Sequence, residues 1–309
     1  MTTSKNNLPS VFAANIFLLA ILIITVIGAY LFKFIHLNSF YFSTLILEYC
    51  LTLLPVLLYL VFKGYDLKYV LKLNKLSYKQ IIIIPLISIC IAFIGIFLNT
   101  IMLFILSLFG DFTRVSQNIP IASSSSNFII LLLVTALTPA ICEEALFRGL
   151  MLSCYEQLGI KKAIIASGIF FGIFHFSVNI QGLLGLSFMG IIFAYIVFKT
   201  NSLFASILAH LFYNSFGDIM KYITNFSVDT TIQIISPEII IPNLIASAIF
   251  ALPAGILCFI LLKLLPASKS TDTRVHIKNR NHIKSNIIKS APLLPIFLLY
   301  IYLCLKTLK

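Results

Sequence analysis

Residues 131–152 read LLLVTALTPAICEEALFRGLML, and Glu143, Glu144 and Arg148 stand inside a run that is otherwise apolar. A helix crosses a bilayer in about 20 residues, so this run is long enough to span. The chain holds only ten Asp and Glu among 309 residues, and two of them are adjacent here. A charge at the bilayer centre costs at least about 2.5–3.5 kcal/mol. Glu144 and Arg148, four residues apart on a helix, face each other and predict an ion pair. Glu143 is turned about 100° away by the 3.6-residue period, which leaves it free for other work. Pro139 brings no N–H and crowds the carbonyl of Thr135, which predicts a kink or a wet opening near Glu143. A purely structural ion pair explains Glu144 and Arg148 but not Glu143.

Two more polar pairs lie in apolar runs. Phe171 and His175 share a helix face, beside Gly168 and Gly172, which allow a neighbouring helix to approach closely. His210 and Asn214 share another face, with Asp218 one turn further. Taken singly, each pair reads as interhelical hydrogen bonding, worth about 0.6 kcal/mol per contact. Taken with the acids, they read as an active site. Glu48 and Asn99 are also polar residues within apolar runs; no partner is evident from spacing, and both read as structural, with Tyr49 at an interface. Asp218 is placed either against Asn214 or near the outer interface. His36, His276 and His282 fall in loops and read as solvated.

Composition sets the class. Hydrophobic residues make up 60% and charged residues 10% of the chain, with a mean hydropathy of +1.05. Soluble domains carry about 25% charged residues, so the composition predicts a polytopic membrane protein in contact with lipid. The first apolar run, 11–32, is long enough to span rather than be cleaved as a signal peptide. The six cysteines lie in or beside apolar runs without CxxC spacing, which predicts small buried hydrophobes rather than disulfides or a thiolate zinc site. The formal charge of +12 falls mostly in two loops and needs no nucleic-acid partner to explain it.

Apolar segments at 11–32, 41–62, 81–109, 127–152, 163–178, 181–200, 201–223, 239–265 and 291–306 predict an all-α, polytopic transmembrane helix bundle of eight or nine spans. Segments 163–178 and 291–306 are short for a span, and Ser123–Ser126 form a linker that offers an N-cap to the next helix. The chain divides into N-terminal spans with a basic loop (1–126), a catalytic core (127–223) and C-terminal spans with a second basic loop (224–309). Lys63, Lys68, Lys72, Lys75 and Lys79 fill the first loop; Lys269, Arg274, Lys278, Arg280, Lys284 and Lys289 fill the second. Lys161, Lys162 and Lys199 mark two further ends. Positive loops face the cytoplasm, which predicts a cytoplasmic N-terminus in a multi-pass cell-membrane protein. The loop 110–126, with Asp111 and Arg114, then falls outside. Lys306 and Lys309 also fall outside, against the rule, unless the last segment does not cross. In this arrangement Glu143, His175 and His210 all lie about 14–18 Å from the cytoplasmic surface at 1.5 Å per residue. Three helices thus bring polar groups to one level.

Glu143-Glu144-Ala145-Leu146-Phe147-Arg148, Phe171-Gly172-Ile173-Phe174-His175 and His210-Leu211-Phe212-Tyr213-Asn214 follow one another as EExxxR, FxxxH and HxxxN. In this order they resemble the CPBP family of CAAX proteases and bacteriocin-processing or self-immunity proteins, also called the Abi family. Pro139 and Phe147-Arg148-Gly149 fit as well, and the resemblance covers about 127–220. It implies an intramembrane endopeptidase. Carried onto these positions, Glu143 activates the attacking water with help from His175, His210 and Asn214 donate to the tetrahedral oxyanion, and Glu144 with Arg148 holds the helix. Donors aimed at an oxyanion are worth about 2.7–4 kcal/mol each. The family's frequent metalloprotease label leaves the cofactor open: none, with glutamate chemistry alone, or zinc held by Glu143, His175 and His210 with an open water position. The His-Glu-x-x-His spacing of zincins is absent from the chain.

The implied substrate is a peptide or protein at the membrane: a leader peptide, a pheromone, a bacteriocin or a CAAX-like tail. Two other classes compete with the peptidase. A non-catalytic scaffold or immunity protein would keep the fold and regulate a membrane-protein partner, but has no need for every one of these polar groups. A transporter would also bury charges, but paired inverted repeats are not evident.

Overall fold

The computed structural model describes residues 8–35, 39–109, 112–113, 124–175, 180–224, 234–235, 237–268 and 291–307. His36, His276 and His282, the cluster from Lys269 to Lys289, Asp111, Arg114 and Lys309 lie outside them, as do the side chains of Cys304 and Lys306. All nine apolar segments are helical over most of their length. We number the helices α1 (Val11–Phe34), α2 (Phe40–Phe62), α3 (Leu67–Val70), α4 (Tyr78–Ser107), α5 (Ser125–Leu158), α6 (Ile160–Phe174), α7 (Leu183–Thr200), α8 (Leu203–Thr224), α9 (Pro237–Leu264) and α10 (Leu294–Thr307). A two-residue antiparallel ladder pairs Phe112–Thr113 with Ile234–Ile235 and leaves the class unchanged: the chain is an all-α, polytopic helical bundle.

Six helical stretches among the described residues are long and apolar enough to cross a membrane: 11–32, 40–62, 78–107, 125–158, 180–200 and 240–264. The remaining three fall short for identifiable reasons. Helix α6 has 15 residues and α10 has 14, under the length a span needs. Helix α8 has 22 residues, but His210, Asn214, Asp218 and Lys221 lower its hydropathy.

Caps and small residues set the packing. Ser77 opens α4 with a capping box: its Oγ accepts from the Gln80 N–H, and its own N–H donates to Gln80 Oε1 at 2.8 Å. Ser124 caps α5 by accepting from the Asn127 N–H at 3.3 Å, so the serine linker does supply the cap. Helices α6 and α7 meet through glycines. A Cβ on Gly168 would lie 2.4 Å from the Ile191 backbone nitrogen, and one on Gly172 would lie 2.1 Å from Ser187 Oγ. No larger residue permits that approach. Helix α4 runs through the middle and packs against α7, α8 and α9.

Lys72 departs from its neighbours in the first basic loop. It is buried, adopts a left-handed backbone (φ 52°) and pairs through Nζ with Glu156 Oε1 at 2.8 Å and Ser153 Oγ at 2.8 Å. Its carbonyl accepts from the Leu203 N–H at 3.0 Å. Asn74 donates to the Asn201 carbonyl at 2.7 Å. The loop is thereby pinned to the end of α5 and the start of α8. Asn99 also has a partner: its Oδ1 accepts from the Gly185 N–H at 3.1 Å. Cys90, Cys142, Cys154 and Cys258 are buried free thiols, whereas Cys50 is exposed on an apolar helix face, contrary to the expectation of burial.

Candidate active site

Helix α5 is not a regular α-helix. π-helical turns at Leu133–Leu137 and Ala145–Met151 flank the α-helical piece Thr138–Glu144 that carries both glutamates. Such bulges recur at functional sites. Pro139 has no N–H to offer the Thr135 carbonyl, and Asn214 Nδ2 on α8 donates to that carbonyl at 3.1 Å. Thr135 Oγ1 in turn donates to Asp218 Oδ2 at 2.6 Å. The predicted disturbance at Pro139 is therefore real, but it is filled by α8 rather than by a wet gap at that carbonyl.

One helical turn away, α8 meets α5 again. His210 Nδ1 lies 2.9 Å from Glu144 Oε1, and Arg148 Nη1 lies 2.8 Å from the same oxygen. Glu144 and Arg148 are both fully buried, which makes this pair strongly interdependent: removing one partner of a buried pair costs about 3–5 kcal/mol. The guanidinium lies 4.4 Å from the Phe171 ring centroid, with Phe193 at 5.7 Å and Phe147 at 5.9 Å. Cation–π attraction supplements its single ion pair. A Cβ at Gly190 would come 2.9 Å from Arg148 Nη2, so the arginine fills the space above that glycine.

Glu143 faces the other way. Its Oε1 lies 3.4 Å from His175 Nε2 and its Oε2 lies 4.0 Å from His210 Nε2. His175 follows the last residue of α6, and its Nδ1 sits 2.9 Å from the Phe171 carbonyl. A carbonyl only accepts, so Nδ1 carries a proton and Nε2 is the nitrogen turned toward Glu143. The same reasoning holds for His210, whose Nδ1–H donates to the Glu144 carboxylate. Each imidazole is thus oriented by an acceptor behind it, the arrangement that fixes tautomer and ring direction at reactive histidines. The His175 side chain is 27% exposed and that of Glu143 13%, against 4% for His210. The cluster opens on the His175 side.

Five of the six residues singled out in the sequence, Glu143, Glu144, Arg148, His175 and His210, form one connected cluster. Asn214 is held one turn away against the backbone of α5. Glu48 also lies close by: it stands in the π-helical turn Ile46–Leu53 of α2, which packs against the piece of α5 that carries Glu143. Spacing alone pairs Glu48 with nothing, whereas the packing of α2 on α5 sets it beside Glu143. Its signal in the sequence was burial of one of ten carboxylates in an apolar run, but no spacing rule connects it to a residue on another helix.

Among the described residues no three His, Cys, Asp or Glu side chains are grouped as ligands of one ion.

Residues 125–216 match the family described as Type II CAAX prenyl endopeptidase Rce1-like. This segment begins at the N-terminus of α5 and ends within α8, and so contains all three motifs. The chain is also 31% identical over 93 residues to a Bacillus subtilis (strain 168) protein named "Putative membrane peptidase YdiL". That match takes in 30% of this chain and 37% of the relative's length. No solved structure matches the chain. The CPBP resemblance read from the motifs thus extends over an Rce1-like segment within a multi-pass helical membrane protein.

Proposed function

We propose that this protein is a CPBP-type intramembrane endopeptidase that hydrolyses a peptide bond of a membrane-associated peptide or protein through water activated by Glu143. The observation that carries the reading is the convergence of Glu143 with the Nε2 atoms of two histidines, each oriented from behind by an acceptor. In the reaction, water lies against Glu143 and His175 Nε2, gives up a proton to this pair and attacks the substrate carbonyl carbon. Positioned general bases of this kind contribute about 10²–10⁴-fold. The oxygen of the tetrahedral intermediate then faces His210. The proton taken from water, relayed from Glu143 to His210 Nε2, lets that nitrogen donate to this oxygen while the Glu144 carboxylate accepts from Nδ1 behind it. Collapse breaks the C–N bond, and the proton taken from water passes to the leaving amine. Asn214 has a second amide N–H beyond the one given to Thr135, and this is the one available to the oxyanion.

The basic loops argue for a cytoplasmic N-terminus, and we take the substrate to reach the site from the cytoplasmic side. Substrates are then leader peptides, pheromones, bacteriocins or CAAX-like tails presented from that side. The test is cleavage of a panel of such peptides, prenylated and not, by the purified full-length protein beside Glu143→Gln. Cleavage by the wild type alone supports the peptidase. Equal product from both proteins overturns the mechanism. Absence of cleavage with a co-purifying membrane protein favours the scaffold or immunity reading.

A further inference from the structure

The mechanism above needs Glu143 on α5 and His210 on α8 at one level, and one loop residue bonds the ends of both helices. Lys72 Nζ donates to Ser153 Oγ and pairs with Glu156 Oε1, each at 2.8 Å, at the end of α5. Its carbonyl accepts from the N–H of Leu203, the first residue of α8, at 3.0 Å. The first N–H groups of a helix have no partner inside it, so the loop supplies what α8 lacks. Neighbouring residues extend the contact to both sides. Ser153 Oγ donates to the Val70 carbonyl at 2.6 Å, and Leu71 is seated on Gly149, where a Cβ would lie 2.5 Å from its Cδ2. Asn74 Nδ2 donates to the Asn201 carbonyl at 2.7 Å, and the Asn74 carbonyl accepts from Ser202 Oγ at 2.5 Å. A lysine keeps a left-handed backbone (φ 52°) only where its surroundings hold it there. A buried ion pair by itself would explain Glu156, but not the bonds from Lys72 and Asn74 to the start of α8.

Resting on the peptidase reading of that site, we infer that Lys72 and Asn74 are positioning residues for His210: their segment fixes how far α8 is slid along α5, and so sets His210 against Glu143 and Glu144. His210 stands seven residues into α8 from Leu203, about 10 Å at 1.5 Å per residue. Ser153 stands nine residues beyond Glu144, about 13 Å on the same rise. Over so short a length a hydrogen-bonded helix passes an axial shift from one end to the other. Lys72 and Asn74 touch neither water nor substrate in this role. Both lie outside the Rce1-like segment 125–216, so that segment does not contain everything that aligns its own motifs.

The test uses full-length protein in detergent. Lys72→Met alone strands Glu156 and lowers the unfolding midpoint. Lys72→Met combined with Glu156→Leu removes both charges and recovers the midpoint, because apolar residues of similar volume replace a buried ion pair at little cost. The double variant thereby separates position from stability. The first readout is NMR of protein labelled with 15N-histidine, in which the Nδ1–H bonded to Glu144 gives a low-field proton resonance that is absent from His210→Gln. That resonance shifts in the double variant and, less far, in Asn74→Ala. It stays in place in Lys75→Met, which removes a charge from an exposed residue of the same loop. The second readout is steady-state cleavage. Misplacing a catalytic group by 1 Å costs on the order of 10²-fold, so kcat falls toward that order in the folded double variant with KM little changed, while Lys75→Met keeps the wild-type rate. An unmoved resonance or a wild-type kcat in the folded double variant overturns the inference; if that variant does not fold, Asn74→Ala decides by the same two readouts. A resonance that moves as stated in a protein whose wild type cleaves nothing keeps the clasp and removes the peptidase reading instead.

Discussion

His210 donates its Nδ1 proton to Glu144 at 2.9 Å while its Nε2 faces the neighbouring Glu143. The two adjacent glutamates thus act on opposite edges of one imidazole. Glu144 is locked to Arg148 and serves as the fixed acceptor; Glu143 is left on the other edge. The doublet divides one task between two residues that a helix necessarily points in different directions.

On the proposed mechanism, Glu143→Gln removes the base but keeps the shape. The variant inserts and folds as the wild type does, and cleavage of any peptide that the wild type processes falls by about 10²–10⁴-fold. Single-turnover assays on protein matched for thermal unfolding check this, and product at the wild-type rate would sink the mechanism.

Arg148→Ala acts on stability. It strands Glu144 without its buried cation, at about 3–5 kcal/mol, and empties the space among Phe147, Phe171 and Phe193. Glu143→Ala, at a partly exposed group, costs less. Thermal unfolding in one detergent compares the two, and equal midpoints would make the ion pair unimportant.

Asn214→Asp is worse than Asn214→Ala. Both lose the donor to the Thr135 carbonyl, worth about 1–3 kcal/mol for an unsatisfied buried group. The aspartate also aims a carboxylate at that carbonyl, with Asp218 already bonded to the side chain of the same threonine. The ordering of yields and unfolding midpoints decides; a more stable Asn214→Asp would mean that the Thr135 bond contributes nothing.

Cleavage survives a strong chelator. The chain lacks the His-Glu-x-x-His spacing of zincins, so stripping divalent metals is expected to leave the rate within about twofold while Glu143→Gln still abolishes it. Loss of activity that zinc restores would transfer the three residues to ligand roles.

Gly172→Ala tests how the α6–α7 approach supports His175. The added Cβ would lie 2.1 Å from Ser187 Oγ and 2.9 Å from the Leu183 carbonyl. The backbone of α7 must move, and overpacking typically costs about 1–3 kcal/mol. The expected result is a lower unfolding midpoint together with a lower kcat, because the end of α6 carries His175. An unchanged kcat would uncouple the helix seam from the site.

What the sequence makes legible divides cleanly by physical cause. The Glu144–Arg148 pair follows from helical spacing alone, and the meeting of Glu143, His175 and His210 from counting residues inward from basic ends. Both are one-dimensional facts. Partners chosen by packing between distant helices are not. Nothing in the order of residues says that Asn214 closes the vacancy left by Pro139, that Glu48 lies beside Glu143, or that Lys72 turns inward to Glu156 while its neighbours stay in the loop. The π-helical turns are equally hidden, because they conserve composition and change only the direction of side chains. Asn214 is the instructive case: Pro139 announces an orphan carbonyl, but only the antiparallel course of α8 along α5 identifies its donor.

The brevity of α6 bears on how a reaction that consumes water can run inside a hydrocarbon layer. Fifteen residues rise about 22 Å, short of the hydrocarbon core of about 30 Å. A segment that short is accommodated by thinning of the bilayer, by snorkelling of its flanking residues or by association. His175 stands at the end of this segment and is the most exposed member of the cluster. Thinning of the layer there would shorten the route from bulk solvent to the residue that, on the proposed mechanism, receives the water.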